Sequence, residues 1–485
     1  MDGTGDDAER DRGHDRAAAV NELQRIASTA FAERVLGECR TAVPLGAYAC
    51  AENVRYPFLA ASGPYALVRQ LDAETTLQPV SGTIPLFSWD EREMADEWGV
   101  RFDLLPDARP LRGRHGTMPP AITAHGTGLM RFVVGPVHAG IIEPGRFTFS
   151  SGGETIVHLD AQLSYAHRGV ERFVEGLDVA GAARLVARIC GSCSAARSFA
   201  YARALEGLAG VDLPDEVELA RLAVAELERL YNHLGDLAAS AAGAGWGPGF
   251  AGGMACKERA MRRCRFAAGH RLLFDAIVPG GIGPQVLRER RRLSDELAAF
   301  AADVEEYLRV LFTHASTVSR WQRAGRVSRE VADAFGAVGP AHRAAHGKID
   351  VRSFAPYGAY RRLPVRVASA TAGDAYARCR VKRDEISESF RLIRDALVQL
   401  GDVDLPDPQA LAVPPGVATT VVEGPRGSEV LAVHVDGGGR LSRLHVISAS
   451  FRNWPVVARS VDGNIVPDFP LINKSFNLCY ACADR

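Results

Sequence analysis

The sequence contains few cysteines, nine in 485 residues, and their number is odd. A secreted disulfide scaffold is typically denser in cysteine and has an even count, so free thiols in a reducing compartment are expected. No run of roughly 18 or more apolar residues is present, which argues against a membrane-spanning helix. The first 16 residues are polar and acidic-rich without an apolar stretch, so we expect a disordered tail and no signal peptide.

The sequence also lacks an excess of either charge. Its 57 basic and 58 acidic side chains give a net charge of −1, which argues against nucleic acid as a partner. Hydrophobic residues make up 47% of the chain and charged residues 24%, enough for a large core. The length predicts two or three domains. We expect a cytoplasmic protein without a membrane span of its own, whose membrane association comes through partners.

The first quarter of the chain shows three helical patterns, over 17–39, 66–71 and 91–100, and Gly99 is expected to end the third. Prolines and glycines over 106–120 indicate a linker. These features predict a disordered tail (1–16), a first domain (17–125) and a second domain (126–485).

The second domain is predicted to be largely helical. A strand over 130–134 and a hairpin formed by 146–150 and 155–159 open it. Two further strands, 429–435 and 444–447, come near its end. Between them, three-to-four-residue periodicity predicts long helices over 177–210, 214–243, 254–277, 287–320 and 328–337. The expected fold class is therefore α+β, mainly α: a bundle of long helices with small β elements near both ends, plus a small N-terminal α+β domain.

Two Cys-x-x-Cys pairs stand out, Cys190 with Cys193 and Cys479 with Cys482. The two pairs are 286 positions apart, counted from Cys193 to Cys479, so only the fold can bring them together. Four thiolates form a site for a soft metal, and zinc, nickel and iron all suit such ligands. On spacing alone zinc is the ordinary interpretation.

Ordered motifs surround these pairs. Together, over residues 130–485, they resemble the catalytic large subunit of membrane-bound [NiFe] hydrogenases of the formate-hydrogenlyase type, homologous to the 49-kDa subunit of complex I. Residues 17–125 more weakly resemble the 30-kDa complex I subunit, through 89–94 and 106–111. The motifs are Gly-Pro-Val-His-Ala-Gly-Ile-Ile-Glu-Pro (135–144), His-Arg-Gly-Val-Glu (167–171), Glu-Arg-Leu-Tyr-Asn-His-Leu-Gly-Asp (228–236), Ile-Val-Pro-Gly-Gly (277–281), Asp-Val-Arg (350–352), Pro-Tyr (356–357), Gly-Asp (373–374) and Glu-Gly-Pro-Arg-Gly (423–427).

The resemblance implies a nickel–iron centre held by the four cysteines. Cys193 and Cys482 would bridge the two metals, because soft sulfur can bind two soft metals at once. Cys190 and Cys479 would be terminal nickel ligands. Zinc, or no metal, is the alternative.

The resemblance also assigns roles to three charged residues. Glu143 would be the proton-transfer carboxylate, Arg426 would lie over the open side of the metals and polarise bound hydrogen, and Glu171, 19 positions before Cys190, would bind magnesium. The plainer alternatives are a surface loop carboxylate for Glu143, a structural arginine in a tight turn for Arg426, and a surface glutamate paired with Arg168 or Arg172 for Glu171.

Two positions depart from the family pattern. Hydrogenases usually have histidine where this chain has Arg197, and Asp-Pro where it has Asn477-Leu478. Asparagine keeps hydrogen bonding but cannot take up a proton, so both departures put high hydrogenase turnover in doubt. Many family members also carry a C-terminal extension removed after metal loading. This sequence stops at Arg485, as in the processed form or in a member that is not cleaved.

The expected function is that of the catalytic large subunit of a group 4-type [NiFe] hydrogenase complex, with reversible proton reduction and hydrogen oxidation. A small iron–sulfur subunit would exchange electrons with it, because this chain has no spare cysteine set for an iron–sulfur cluster of its own. Membrane antiporter-like subunits would hold it at the inner face of the cell membrane. The alternatives are a quinone-binding 49-kDa-type subunit of a complex I-like NADH–quinone oxidoreductase, weakened by Ile142 where that family has histidine, and a catalytically degenerate metal-binding scaffold.

Overall fold

A computed structural model describes residues 24–25, 31–50, 52–72, 74–112, 118–138 and 142–485. Helices account for 47% of the chain and strands for 18%, which confirms the α+β, mainly α class predicted from the sequence. The predicted tail (1–16) lies outside the described residues.

The N-terminal part is a small α+β unit. Its central hairpin consists of β4 and β5, with β2 and β3 pairing with β4 and β1 pairing in parallel with β5. Its elements are β1 (Gln24–Arg25), α1 (Phe31–Glu38), β2 (Val43–Pro44), β3 (Tyr48–Cys50), β4 (Asn53–Ala60), β5 (Gly63–Gln70), β6 (Thr76–Leu77), α2 (Ser88–Trp98) and β7 (Arg101–Phe102).

Two helix predictions in this part are wrong. Residues 66–70 form the second half of β5, because pairing with β4 along its whole length overrides the local helix preference of Ala-Leu. The helix predicted over 17–39 begins only at Phe31, and Gln24–Arg25 forms a strand against β5. The remainder of that prediction, 17–23 and 26–30, lies outside the described residues. The third helix is confirmed: α2 ends at Gly99, whose φ of 67° is left-handed.

The rest of the chain begins with the predicted strand and hairpin, which pair in one three-stranded antiparallel sheet, and continues into helices and a second three-stranded sheet. The elements are β8 (Leu129–Val134), β9 (Arg146–Gly152), β10 (Thr155–Gln162), α3 (Val170–Phe173), α4 (Val179–Ala187), α5 (Ser194–Ala209), α6 (Asp215–Gly243), α7 (Gly247–Ala268), β11 (Ile277–Val278), β12 (Gly281–Ile282), α8 (Arg290–Thr313), α9 (Ala315–Trp321), α10 (Arg329–Ala334), α11 (Gly339–Ala344), α12 (Val351–Phe354), α13 (Ala375–Leu400), β13 (Gly416–Gly424), β14 (Gly427–Val435), β15 (Leu441–Ile447), α14 (Ala449–Ser460), α15 (Phe469–Phe476) and α16 (Tyr480–Asp484).

Helix α6 is the axis of the helical part. Every residue from Leu219 to Ala238 is buried, and α7, α13 and α15 pack around it. A helix surrounded in this way has no solvent-facing stripe, so its polar side chains must find partners inside the protein. Several of those side chains face the cysteine pairs.

The predicted helical stretches lie where helices occur but with too few breaks, and the long helix α13 (Ala375–Leu400) was not predicted. The stretch 177–210 is interrupted at 188–193, where the first cysteine pair separates α4 from α5. The stretch 254–277 runs instead from Gly247 to Ala268, and 287–320 divides at His314 into α8 and α9. The break at the cysteines matters most, because it leaves Cys193 at the N-terminus of α5.

The N-terminal unit has an apolar core of its own, formed by residues between Phe31 and Val100, while Leu45 and Leu59 join the large core of the helical part. A domain boundary near 125 stays a prediction. Within the described residues, no helix is both long enough and apolar enough to cross a membrane.

Candidate metal centre

The fold brings the two cysteine pairs together. Cys190 and Cys193 lie in the turn between α4 and α5, while Cys479 precedes α16 and Cys482 lies within it. The Sγ atoms of Cys190 and Cys479 are 3.2 Å apart, and those of Cys193 and Cys482 are 3.8 Å apart. Three of the thiols are buried and Cys479 is half-buried. The predicted ligands therefore form one compact thiol cluster.

This thiol cluster shares protons unevenly. The pKa of Cys190 is held well below its usual range because the thiols of Cys193, Cys479 and Cys482 donate to it. The pKa values of Cys193 and Cys479 are raised well above theirs because each donates to a neighbouring sulfur. The neighbouring S–H groups therefore favour the thiolate form at Cys190 over Cys193 and Cys479.

The donor set fits a soft metal. The ligand atoms of Cys190, Cys479 and Cys482 all lie within 4.8 Å of one another, and Cys193 completes the group. Four sulfurs without a hard oxygen ligand suit nickel, iron or zinc rather than magnesium or calcium. The thiol cluster is a site that can hold a metal ion.

Helix α6 fixes the turn of the first pair. Tyr231 Oη donates to Gly191 O at 3.0 Å, and Asn232 Nδ2 donates to Ser192 O at 2.8 Å. Glu228 accepts from the backbone N–H groups of Ala195 and Ala196 at 2.7 and 3.0 Å. The buried helix thus satisfies the polar groups of the cysteine turn.

Arg168 ties the two pairs to each other. Its Nη2 donates to Ile189 O at 2.6 Å, just before Cys190, and to Ala481 O at 3.3 Å, between the cysteines of the second pair. One guanidinium therefore contacts both cysteine segments, at residues 21 and 313 positions further along the chain.

Arg426 lies beside the thiol cluster in a complete hydrogen-bond network. Its Nε donates to Asn477 O at 2.5 Å, Nη1 to Asn232 Oδ1 at 2.9 Å and Nη2 to Asp236 Oδ1 at 3.3 Å. The pKa of this buried guanidinium is raised by Asp236 and by the nearby cysteines, against the effect of burial. Its permanent charge is thus held next to the sulfurs.

Asn477, one of the two departures from the family pattern, belongs to the same network. Its Nδ2 donates to Asp236 Oδ1 at 2.5 Å, and Lys382 Nζ lies 2.7 Å from Asp236 Oδ2. The pKa of Asp236 is held far below its usual range, chiefly by Lys382 and Arg426, which outweigh burial. The position taken by asparagine is therefore a hydrogen-bond donor to an ionised carboxylate.

Arg197, the other departure, has a different set of contacts. Its side chain is fully buried, and Nη2 pairs with Glu429 Oε2 at 3.2 Å. Its Nε and Nη1 find no hydrogen-bond partner among the residues the structure describes. The pKa of Arg197 is raised well above its usual range by Cys482, Glu429 and Cys193, despite burial. Two guanidinium donors next to the thiol cluster are thus unused.

Glu143 lies exposed in the loop between β8 and β9. Its charge raises the pKa of Tyr480 and Asp484, although burial is the larger cause for both. It is therefore near the second cysteine pair but at the surface. Residues 139–141 of the same motif lie outside the described residues.

Glu171 is buried on α3. Its Oε1 accepts from Val446 N at 2.7 Å and from Arg485 Nη1 at 3.2 Å. Its guanidinium partner is therefore Arg485 rather than Arg168 or Arg172.

Glu228 is a site residue for which sequence analysis predicted no role. It is completely buried, and burial raises its pKa to about 8. Its place in the 228–236 motif was the available signal. The pKa of Glu228 depends on its burial and on the N–H groups of α5, and only the fold shows both.

Comparison with known proteins shows the family to which the chain belongs. Residues 245–411 and 407–485 match the family described as the 49 Kd subunit of respiratory-chain NADH dehydrogenase. Hydrogenase-4 component G of Escherichia coli (strain K12) is 30% identical over 86% of this chain and 77% of its own length. Formate hydrogenlyase subunit 5 of the same organism is 29% identical over 86% and 78%.

A solved structure agrees with these relatives. A chain of the membrane-bound sulfane sulfur reductase, an archaeal respiratory membrane complex, superposes with a TM-score of 0.69 and 25% identity, over 74% of this chain and 99% of that one. The relatives are subunits of oxidoreductases and of membrane complexes. The chain therefore belongs to the oxidoreductase family that unites the 49-kDa subunit of respiratory-chain NADH dehydrogenase with the large subunits of membrane-bound hydrogenases.

Proposed function

We propose that this chain is the catalytic large subunit of a membrane-associated [NiFe] hydrogenase complex that reversibly reduces protons and oxidises hydrogen. One observation carries the proposal: four thiols from opposite ends of the helical part meet in a single buried cluster. A quinone-site subunit would have no use for such a cluster. The hydrogenase relatives of this chain also support the hydrogenase role.

The four cysteines would hold the metals, with Cys193 and Cys482 as bridging ligands and Cys190 and Cys479 as terminal ones. A nickel–iron centre, when bound, supplies the heterolytic cleavage and formation of dihydrogen. The protein would supply charge and position: Arg426, fixed by three hydrogen bonds, keeps a cation next to the sulfurs in a site of low polarity.

Glu143 is the proposed proton carrier. It is exposed, and it lies within electrostatic reach of Tyr480, which stands between the two cysteines of the second pair. A group at this boundary can take a proton from the site and release it to water. Glu228 is less suited to that task, because both of its oxygens already accept backbone hydrogen bonds from α5.

Electrons would pass to a small iron–sulfur partner. In the part of the chain that the structure describes, the thiol cluster is the only group of three or more potential ligands close enough to hold a metal. Exposed apolar residues Met130, Val133 and Val137 lie on β8 and the turn after it. The next residue, His138, contacts Tyr480 at 3.3 Å. This surface is therefore close to the second pair and suits a partner that exchanges electrons with it.

The complex would be held at the inner face of the membrane by antiporter-like subunits, with this chain peripheral and cytoplasmic. Membrane-bound complexes among its relatives support that arrangement. Co-purification of this chain with membranes, and its release when the partner subunits are deleted, is the expected result.

The decisive experiment is elemental analysis of the complex purified from its host, combined with hydrogen uptake using a viologen dye. Nickel and iron near one each per chain are expected, and Cys482→Ser should remove both. Cys256→Ser is the matched control, because Cys256 is a buried thiol of α7 outside the cluster and its loss should leave both metals in place.

Each alternative has its own signature. Zinc alone, or no metal, would overturn the proposal, and quinone-dependent electron transfer without metal would favour the 49-kDa-type role. Nickel and iron without hydrogen uptake would favour the scaffold, to which the Arg197 and Asn477 departures give specific support.

A further inference from the structure

The side chain of Arg485 is completely buried, in a position that connects three parts of the molecule. Its Nη1 donates to Glu171 Oε1 at 3.2 Å and to Val446 O at 2.7 Å. Its Nη2 donates to Glu93 Oε1 at 2.5 Å. The guanidinium thus joins α3 and β15 of the helical part to α2 of the N-terminal unit.

These contacts do not suit a magnesium ion at Glu171. Magnesium needs oxygen ligands that all point at the ion, with water filling an octahedron. Here the same carboxylate oxygen already receives Val446 N–H and Arg485, and the oxygen of Val446 receives Arg485 as well. Among the described residues, the only group of three or more Cys, His, Asp or Glu side chains close enough to hold a metal is the thiol cluster.

Charge leads to the same conclusion. Two buried carboxylates, Glu93 and Glu171, are met by two buried guanidiniums, Arg485 and Arg112, the latter 2.6 Å from Glu93. His445, 3.4 Å from Glu171, adds no negative charge. The charge of Glu171 is therefore already met by the buried guanidinium of Arg485, without a divalent ion.

We infer that the guanidinium of Arg485 takes the place of a divalent metal ion at Glu171, and that through Glu93 it locks the N-terminal unit to the segment carrying the second cysteine pair. A planar fork with five N–H donors can serve three oxygens at once, as an ion would.

The backbone around Arg485 shows how this lock reaches the cysteines. Arg485 N donates to Ala481 O at 3.1 Å, and Arg485 O accepts from Arg168 N at 2.9 Å. The Asp484 carboxylate accepts from Ser164 N at 2.7 Å and from Ala166 N at 3.1 Å. Cys482 is three positions upstream in the same turn. Arg485 is thus a positioning residue for the second pair, and this second role rests on the proposed function.

The first test is magnesium content and thermal unfolding of the whole protein. The wild-type protein should contain no stoichiometric magnesium, and its melting temperature should be the same in magnesium and in chelator. One magnesium per chain, or stabilisation of the wild-type protein by magnesium, would overturn the inference. This result does not depend on nickel, so it fails or succeeds separately from the hydrogenase proposal.

The second test removes the guanidinium. Arg485→Ala leaves Glu93 and Glu171 without their shared cation, so its melting temperature should fall by about 5 °C or more. Millimolar magnesium or guanidinium should restore part of the loss in this variant only. The melting temperature of Arg485→Lys should lie between those of the wild-type protein and Arg485→Ala. Arg320→Met, which breaks a half-exposed pair with Asp468, is the control and should change little. Equal effects of Arg485→Ala and Arg320→Met would contradict the inference.

The third test addresses the lock itself. Glu93→Gln keeps the Arg485–Glu171 contact but weakens the one to the N-terminal unit. Residues 31–112 should then become several-fold more sensitive to limited proteolysis. In the same variant, cobalt(II) bound to the thiol cluster should show an altered sulfur-to-metal absorption band. An unchanged cobalt spectrum and an unchanged cleavage rate would show that Glu93 transmits nothing to the second pair.

Discussion

Two buried arginines flank the thiol cluster, and they differ in how fully they are used. Arg426 donates to three oxygens, from Asn232, Asp236 and Asn477. Arg197 has a single partner, Glu429, and its Nε and Nη1 have none among the described residues. Both have raised pKa values, in part because cysteine sulfurs lie close by.

The difference shows which of the two arginines has its hydrogen-bond donors satisfied within the protein. Buried guanidinium donors without acceptors are costly, by about 1–3 kcal/mol for each group left unsatisfied. Arg426 therefore has its hydrogen bonds within the protein, whereas Arg197 keeps two guanidinium nitrogens that can donate to a bound group. Four changes break or sharpen this contrast.

The largest effect is expected from Arg426→Met. It leaves the buried Asp236 with Lys382 as its remaining cation and breaks three hydrogen bonds. Breaking a buried pair from one side costs about 3–5 kcal/mol. Urea unfolding should show a loss of that size, with Arg426→Lys recovering only part of it because it lacks the fork. A loss under about 1 kcal/mol would mean that the network contributes no more to stability than an exposed ion pair does.

Glu228→Gln should have the next largest effect, through pH. The pKa of Glu228 is about 8 in the folded protein because of burial, against an ordinary value of 4.5. Between these values the folded state holds a proton that the unfolded state has lost, so stability falls as pH rises, by up to about 1.4 kcal/mol per pH unit.

The glutamine variant should lose that slope in urea unfolding measured from pH 5 to pH 8. The exposed Glu306→Gln is the control and should keep the wild-type slope. Parallel curves for Glu228→Gln and the wild-type protein would contradict the assignment of the raised pKa to Glu228.

Arg197→Met should cost less stability than Arg426→Met, about 1–3 kcal/mol, because it breaks one ion pair and removes two donors that have no partner. The sharper measurement is metal retention. If the free donors serve a bound group, the variant should lose metal several-fold faster to a chelator, with Arg197→His less affected. Equal retention by the wild-type and methionine proteins would show that those donors serve no bound group.

Asn477→Asp should have the smallest effect on stability, about 1 kcal/mol. It places a carboxyl group against Asp236, so the new group should have a raised pKa and its contribution to stability should be lost as pH rises through that pKa. Calorimetry at two pH values checks the sign. If asparagine is what limits turnover, hydrogen uptake should rise in the same variant. Greater stability at the higher pH would show that the two carboxyl groups do not interact.

The sequence predicted what depends on local pattern and on motif order. The helix ending at Gly99, the hairpin around Gly152 and the strands on either side of 436–439 follow from periodicity and turn residues. The strand that replaces the helix predicted over 66–71 depends on pairing with β4, and a local periodicity of three to four residues cannot predict such pairing. Motif order likewise placed the four cysteines in one site, which the structure confirms as a cluster of thiols.

The partners of charged residues were the part that sequence could not provide. Glu171 was expected to bind magnesium, but its contacts are to Arg485 and Val446, one more than 300 and the other 275 positions away. Glu143 matched its motif, yet its exposure depends on a loop whose path no spacing rule gives. Roles assigned by resemblance therefore remain predictions at these two positions until they are tested.

The distance along the chain between the two cysteine pairs has a consequence in time. Cys190 and Cys479 touch in the folded protein but are 289 positions apart. At synthesis rates of roughly 5–20 residues per second, about 15–60 s pass between the making of the two. During that interval the nascent chain carries only half of its ligands, so no four-sulfur site exists for a metal to enter. Assembly of the centre is therefore confined to the period after Cys482 has left the ribosome.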